Sequence, residues 1–287
     1  MKRVLLTGAS GFIGRNTIAP LIAQGYEVHA VSSKKNDATQ GVHWHCVDLL
    51  ETRDTEHLMG DVRPTHLLHF AWYAEHGRFW YSSENYRWLE ASIALLRHFD
   101  QAGGHRVVMA GTCAEYDWSY GYLTEAVTPC RPATPYGICK NALQELLRAY
   151  SDEQKLSSAW GRIFLSYGPG EDSRRLIPSL VDVFQGNRPP FEINATALRD
   201  FLHVDDVAAG FVNLLQADAT GEYNICSGQP VQLAVVVNQI ARLYGVDPSV
   251  ILDLAVVREG EPQLLVGNNQ KLRALGWRAR HSSLDIA

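Results

Sequence analysis

The chain is poor in cysteine and shows no pattern in the few it has. Its 5 cysteines, Cys46, Cys113, Cys130, Cys139 and Cys226, are odd in number and include no C-x-x-C pair. Neither a disulfide framework nor a cysteine metal knuckle is therefore expected, and they read as free thiols of a reducing compartment. Basic runs are no longer than pairs such as Lys34-Lys35 and Arg174-Arg175, and the net charge is −5, which argues against nucleic acid or a membrane surface as partner. No apolar run approaches the ~20 residues that a bilayer crossing needs. No charged leader with an apolar stretch precedes the first strand-like residues, so the expectation is a soluble, cytoplasmic protein. Internal repeats and low-complexity tracts are missing as well, which removes solenoids and arrays.

What is present is ordinary globular material. With 287 residues, 46% hydrophobic and 20% charged, the chain can bury a full core as one large domain or a large one plus a small one. Strand-like and helix-like segments alternate through the first half, the pattern of βαβ units around a parallel sheet. Strands are expected near 2–7, 26–31, 42–47, 65–71, 105–111 and 158–164, with helices near 12–24, 51–60, 84–102 and 135–153. The rhythm changes after Phe164. The expected fold is α/β: a doubly wound parallel sheet of dinucleotide-binding type over 1–165, then a smaller, mostly C-terminal α/β substrate region over 166–287. Segments such as 200–215 are allowed to pack back on the first.

Three motifs carry chemistry. The first is Val4-Leu5-Leu6-Thr7-Gly8-Ala9-Ser10-Gly11-Phe12-Ile13-Gly14, a strand breaking into a glycine turn that opens a helix. Gly8 permits the tight turn, Gly11 admits a pyrophosphate to backbone N–H groups, and Gly14 lets the helix lie close on the strand. The helix N-terminus then offers its partial positive charge to the phosphates. Ser10, Phe12 and Ile13 share the turn as candidate cofactor contacts. The second motif is Tyr136-Gly137-Ile138-Cys139-Lys140, after Thr134 as N-cap and Pro135 as first helical residue. Tyrosine and lysine four apart lie one turn from each other, and a cation there is expected to lower the Tyr136 pKa toward neutrality. The third is the strand ending Met109-Ala110-Gly111-Thr112-Cys113. Groups just beyond a parallel strand's carboxyl end face the ligand crevice, which makes Thr112 a candidate donor to a substrate oxygen, or simply a cap.

In this order and spacing the three elements resemble the short-chain dehydrogenase/reductase superfamily, specifically the extended, epimerase/dehydratase branch that acts on nucleotide sugars. The stretches Arg162–Gly170, Arg174–Pro178, Arg199–Ala208 and Gly221–Gly228 extend the resemblance down to Leu275-Gly276-Trp277. It implies that Tyr136 exchanges the proton at a sugar hydroxyl or ketone, that Lys140 holds the nicotinamide ribose and tunes the tyrosine, and that Thr112 bonds the same sugar oxygen. It also implies that Asp48, beside Leu49, contacts adenine, that Phe70, Ala71 and Trp72 border the cofactor, and that Arg199 contacts a nucleotide diphosphate; Arg199 pairing with Asp200 is the structural alternative. The dehydratases of this branch carry Asp and Glu after the threonine. Here Cys113 and Ala114 stand there, with Glu115 one residue further, so dehydration is not expected. Where the branch has an asparagine in R-x-F-N, this chain has Leu165, which shifts phosphate binding onto Arg199, Arg174, Arg175 or backbone donors.

The second strand ends in Ser32-Ser33-Lys34-Lys35 with no acid before Asp37. Hydroxyls and cations suit a 2′-phosphate, so NADP(H) is expected, with NAD(H) possible. Trp72, Tyr73 and His76 are expected either to wall a deoxysugar or to seal the domain junction; no metal site is expected, because His76 has no second ligand at a helical or hairpin spacing. The leading expectation is NADPH-dependent reduction of a nucleotide-linked 4-keto-6-deoxy sugar in polysaccharide or deoxysugar biosynthesis. The alternatives are a nucleotide-sugar 4-epimerase and a non-catalytic NAD(P)-sensing protein. A homodimer through helices 84–102 and 135–153 is expected from the likeness to similar proteins.

Overall fold

A computed structural model of the chain describes residues 2–36, 38–281 and 284. In chain order it contains β1 (Arg3–Thr7), α1 (Phe12–Ala23), β2 (Glu27–Ser32), β3 (Val42–Cys46), α2 (Thr52–Val62), β4 (His66–His69), α3 (Glu84–Gln101) and β5 (Arg106–Thr112). Then come β6 (Tyr122–Leu123), α4 (Pro135–Gln154), β7 (Ser157–Ile163), β8 (Leu165–Tyr167), α5 (Leu176–Phe184), β9 (Leu198–His203), α6 (Val204–Gln216) and β10 (Gly221–Ile225). The chain closes with β11 (Pro230–Gln232), α7 (Leu233–Tyr244), α8 (Ser249–Leu252), β12 (Leu264–Gly267) and α9 (Gln270–Ala274).

The first sheet has the order β10-β7-β5-β4-β1-β2-β3, with every neighbouring pair parallel. Parallel strands need crossovers, and the crossover helices cover both faces, which is why β4 and β5 are buried at every residue. One face packs Ile18 and Leu21 of α1 with Val207, Phe211 and Leu214 of α6. The other packs α2, α3 and α4 through Met59, Leu95, Phe99 and Leu143. The expected α/β fold is thus the one observed, with element ends displaced by a residue or two.

A smaller sheet, β11-β9-β12-β6 with β8 against β9, carries α5 and α7 over a separate core that includes Leu180, Phe201 and Val237. The two regions interleave, because α6 packs on the first sheet and β10 joins it as an edge strand. Buried Asp200 ties them together. Its carboxylate accepts from Ser227 N and Oγ at 2.7 and 2.6 Å, Gly228 N at 3.0 Å and Gly267 N at 3.2 Å. Among the described residues, no helix is long and apolar enough to cross a membrane.

Strand order reverses between β1 and β4, so a crevice opens beyond their carboxyl ends. Its floor depends on glycine. Gly8 has φ +65°, and a Cβ there would lie 2.8 Å from Ala71 N; a Cβ at Gly14 would overlap the Gly8 carbonyl. Gly14→Ala is therefore expected to cost about 1–3 kcal/mol by forcing α1 off β1, measured as a lower urea midpoint. An unchanged midpoint would show that the helix shifts freely.

Candidate active site

The crevice widens into a cavity of about 690 Å³ between the two regions. Its wall includes Gly8, Gly11, Phe12, Ile13, Gly14, Phe70, Ala71, Trp72, His76, Thr112, Cys113, Tyr136, Lys140, Arg175 and Arg199, drawn from stretches far apart in sequence. Ser10, Ser32, Ser33, Lys34, Asp48 and Leu49 are not on this wall. They lie at the carboxyl ends of β1, β2 and β3, the outer continuation of the crevice. Ser10 Oγ and Ser32 Oγ are 3.2 Å apart, and Ser32 Oγ accepts from Lys34 N. Ser33 and Lys34 are exposed. Asp48 Oδ1 accepts from Leu50 N at 3.0 Å, and Asp37 lies outside the described residues. Gly11 N donates to Gly8 O at 3.0 Å and closes the turn, and the first-turn N–H groups of α1, whose Phe12, Ile13 and Gly14 line the cavity, fit a pyrophosphate.

Helix α4 delivers the tyrosine and lysine. Thr134 caps it, accepting from Gly137 N at 3.2 Å, and Pro135 occupies its first turn. Gly137 has no room for a Cβ against the Ala114 carbonyl, so the helix start sits directly on the turn after β5. Lys140 is 3% exposed; its Nζ donates to Ala110 O at 2.9 Å and stands 3.8 Å from the centroid of the Trp72 ring. Burial lowers its pKa to about 7, partly opposed by Glu115. Trp72 is fixed in turn by donating Nε1 to Asn85 Oδ1 at 2.9 Å.

The expected lowering of the Tyr136 pKa is corrected here. Burial raises it, and the hydrogen bond with Thr112 opposes only in part. The reason is that the Lys140 ammonium points at Ala110 O and the Trp72 face, so desolvation of the phenol dominates. The neighbours of Tyr136 are aromatic: Phe79 and Trp80 meet it edge-on at 4.9 and 5.6 Å between centroids, and Tyr136 N donates to Trp80 O. The aromatic loop thus reaches the cavity through Trp72, His76, Phe79 and Trp80, while Tyr73 donates to Glu75 at the surface.

Thr112 is both cap and wall. Its Oγ1 accepts from Ala114 N at 3.2 Å, and Glu115 closes the turn by accepting from Thr112 N at 2.8 Å. Glu115 is fully buried, held also by Trp160 Nε1 at 3.0 Å and Arg162 Nε at 2.6 Å. It is therefore a structural carboxylate turned away from the cavity. The residue that faces the cavity is Cys113, a thiol that burial pushes up to about 12.

Arg199 does not pair with Asp200, a second correction: β-strand alternation sends the two side chains to opposite faces. Arg199 Nη2 instead donates to Glu261 Oε1 at 2.8 Å and its Nη1 to Pro262 O at 2.8 Å. Arg175 pairs with Glu171 at 3.0 Å, and Arg174 with Asp172 at 2.7 Å. Beyond Arg199 and Leu165 lies a second cavity of about 610 Å³, whose lining includes Arg174, Arg188, Phe191, Asn194 and Arg258. Arg188 donates to Ser179 Oγ and Arg258 to the Glu192 carbonyl. No sequence motif singles out Arg188, Arg258, Glu261, Asn85 or Trp118, which lines the first cavity and donates Nε1 to Cys113 O at 2.8 Å. The first three lie in irregular loops, and Asn85 shows its purpose only in the fold, where it accepts from Trp72 Nε1 and donates to Phe79 O at 2.7 Å and Ser82 O at 2.9 Å.

A switch-point crevice with a glycine floor, and a tyrosine-lysine helix against it, define a dinucleotide-binding α/β protein. The sequence profile of the NAD dependent epimerase/dehydratase family matches residues 4–226, and the chain belongs to that family. A UDP-glucose 4-epimerase of Rhizobium meliloti (strain 1021) is 25% identical over 99% of this chain and 94% of its own. The dTDP-6-deoxy-L-talose 4-dehydrogenase (NAD(+)) of Aggregatibacter actinomycetemcomitans is 24% identical over 82% and 88%. The crystal structure of the Thermus thermophilus UDP-glucose 4-epimerase in complex with NAD superposes with TM-score 0.80 at 27% identity, covering 98% of this chain and 94% of that one.

The Lys140 value sets a pH signature. Its folded pKa of about 7 lies below the ordinary 10.5, so folding expels a proton between those limits. The cost of burying the ammonium is full below about pH 7 and is relieved as pH rises toward 10.5. Lys140→Met is expected to gain stability over the wild type at pH near 7, with the gain shrinking by about pH 9, as read from urea melts. A pH-independent difference would mean that the amine is solvated.

Proposed function

We propose that this chain catalyses NADPH-dependent reduction of a keto carbon in a nucleotide-linked sugar, C4 of a 4-keto-6-deoxy sugar being the favoured position. The observation that carries the reading is the convergence of Tyr136, Thr112 and Lys140 on the cavity that begins at Gly8, Gly11 and Gly14. When bound, the dinucleotide supplies the hydride. The Tyr136 phenol, kept protonated by burial, gives its proton to the oxygen on which negative charge develops, while Thr112 donates to the same oxygen. Lys140, on the same wall with its ammonium on Ala110 O, would hold the nicotinamide ribose of the bound dinucleotide. Trp72, Phe79 and Trp80 supply apolar faces for a C–H-rich deoxysugar.

The second cavity suits the nucleoside diphosphate: Arg188 and Arg258 are bonded to neutral acceptors, and Phe191 offers a ring near Asn194. Ser32, Ser33 and Lys34, with no carboxylate among them, support a 2′-phosphate on the cofactor. Cys113 facing the cavity and Glu115 committed to Arg162 argue against dehydration, whose acid and base steps neither serves. Exposed Tyr86 on α3 and Ile138 and Leu146 on α4 support a homodimer through those helices. A second reading, 4-epimerisation with retained NAD, is supported by the likeness to the two UDP-glucose 4-epimerases, while the likeness to the 4-dehydrogenase supports keto-sugar chemistry at C4.

The test is turnover of NADPH and of NADH with a panel of 4-keto nucleotide sugars, beside isomerisation of the corresponding alcohols. Net NADPH loss is expected; isomerisation without it identifies an epimerase, and binding without turnover a dinucleotide-binding protein. Tyr136→Phe is expected to lower kcat by about 10²–10⁴-fold with cofactor affinity nearly intact, and full activity in that variant removes the mechanism. Lys34→Ala is expected to raise KM for NADPH and leave that for NADH unchanged. An equal effect on both overturns the NADP assignment.

A further inference from the structure

The outer edge of the first sheet carries a cluster that the reaction does not use. Glu27 and His29 on β2, and His43 and His45 on β3, share the sheet face covered by α2, because the parallel register sets His29 opposite His43 and Val31 opposite His45. His29 Nε2 lies 3.2 Å from Glu27 Oε1, and His43 Nε2 lies 3.8 Å from the same oxygen. All three ligand atoms fall within 4.8 Å of one another. Two donors each about 2.0–2.1 Å from a tetrahedral ion are about 3.3–3.4 Å apart. The observed spacings therefore bracket that value before any side chain moves.

We infer that Glu27, His29 and His43 form a site for a divalent first-row metal ion, zinc being the ion whose tetrahedral preference suits this trio plus one water. His45 completes the arrangement from outside. Its Nε2 is 3.0 Å from His29 Nδ1, so when His29 gives Nε2 to the ion, its proton sits on Nδ1 and is donated to His45. Metal-binding histidines ordinarily make this outer hydrogen bond. The His43 and His45 rings both lie nearly parallel to His29, with centroids 4.9 and 5.2 Å away, which limits the rotation of His29. The surrounding charges are mixed: Glu27 and Asp61 favour a cation, Arg3 opposes it. The ion would clamp edge strand β3 to β2, and those strands run on to Asp48 and Ser32 at the rim of the dinucleotide crevice. Glu27 and His29 stand two apart on β2, but His43 joins them only across strands, so no spacing along the sequence reports the trio.

A second trio, His203, Asp205 and His281, is less suited. His203 Nδ1 accepts from Asp205 N at 3.3 Å, and His281 Nδ1 lies 3.1 Å from Asp206 Oδ2.

The test strips the whole protein with a chelator, dialyses it, and titrates zinc against a fluorescent competitor at neutral pH. One equivalent is expected to bind, and Co²⁺ in its place to give the intense visible bands of a four-coordinate ion. His43 has a side chain 61% exposed, so His43→Ala is expected to keep its circular dichroism and lose at least about 10-fold in affinity. Glu27→Gln is expected to do the same, and His281→Ala to bind as the wild type does. The site is overturned if the wild type takes up no zinc, if both His43→Ala and Glu27→Gln keep the equivalent undiminished, or if His281→Ala alone loses it.

Discussion

Glu115 sits at the point where the chain leaves β5, and its carboxylate collects Thr112 N, Trp160 Nε1 and Arg162 Nε in a space closed to water. A buried carboxylate is tolerable only when its lone pairs are met and its charge is opposed, and losing one partner of such a pair costs about 3–5 kcal/mol. Arg162 extends the network to Tyr116, whose hydroxyl donates to Asn224 Oδ1 at 2.8 Å. β5, β7 and β10 are thereby locked in register at their carboxyl ends. The lock fixes the 3-10 turn Cys113–Glu115, which aims Thr112 and Cys113 into the cavity and gives the N-terminus of α4 a floor to rest on.

Electrostatics elsewhere in the cleft follow from burial without full compensation. Arg174, Arg175 and Arg199 each lie beside a carboxylate, Asp172, Glu171 and Glu261 respectively, so an anion bound there would have to compete with that carboxylate for the guanidinium. Lys140 rests on a carbonyl and an indole face, which stabilise an ammonium less than an ion pair does, and its pKa falls accordingly. Burial thus lowers the pKa of the Lys140 amine and raises that of the Tyr136 phenol, which packs edge-on against Phe79 and Trp80.

The legible part of this molecule was local. Hydrophobic strands, the glycine turn, the Thr134-Pro135 cap and the four-residue spacing of Tyr136 and Lys140 are all short-range signals, and each corresponds to an element found within a residue or two. Gly14 was readable because close helix-strand packing admits only hydrogen at that position. Illegible were the partners across long separations: Glu261 for Arg199, Asn85 for Trp72, Arg188 and Arg258 in the second cavity, and the cross-strand histidines at the sheet edge. None of these pairs lies within one helix turn or one hairpin, so no periodicity reports them.

Sequence by itself determined the parallel α/β fold and the residues available at the carboxyl ends of β1, β4 and β5, because those follow from strand hydrophobicity, turn chemistry and helix capping. Only the tertiary structure decided which way each polar side chain faces and what it meets there. It turned Glu115 inward and Cys113 outward, gave Arg199 to Glu261, and aimed Lys140 at a carbonyl, since desolvation and charge pairing depend on neighbours that the folded chain alone brings together.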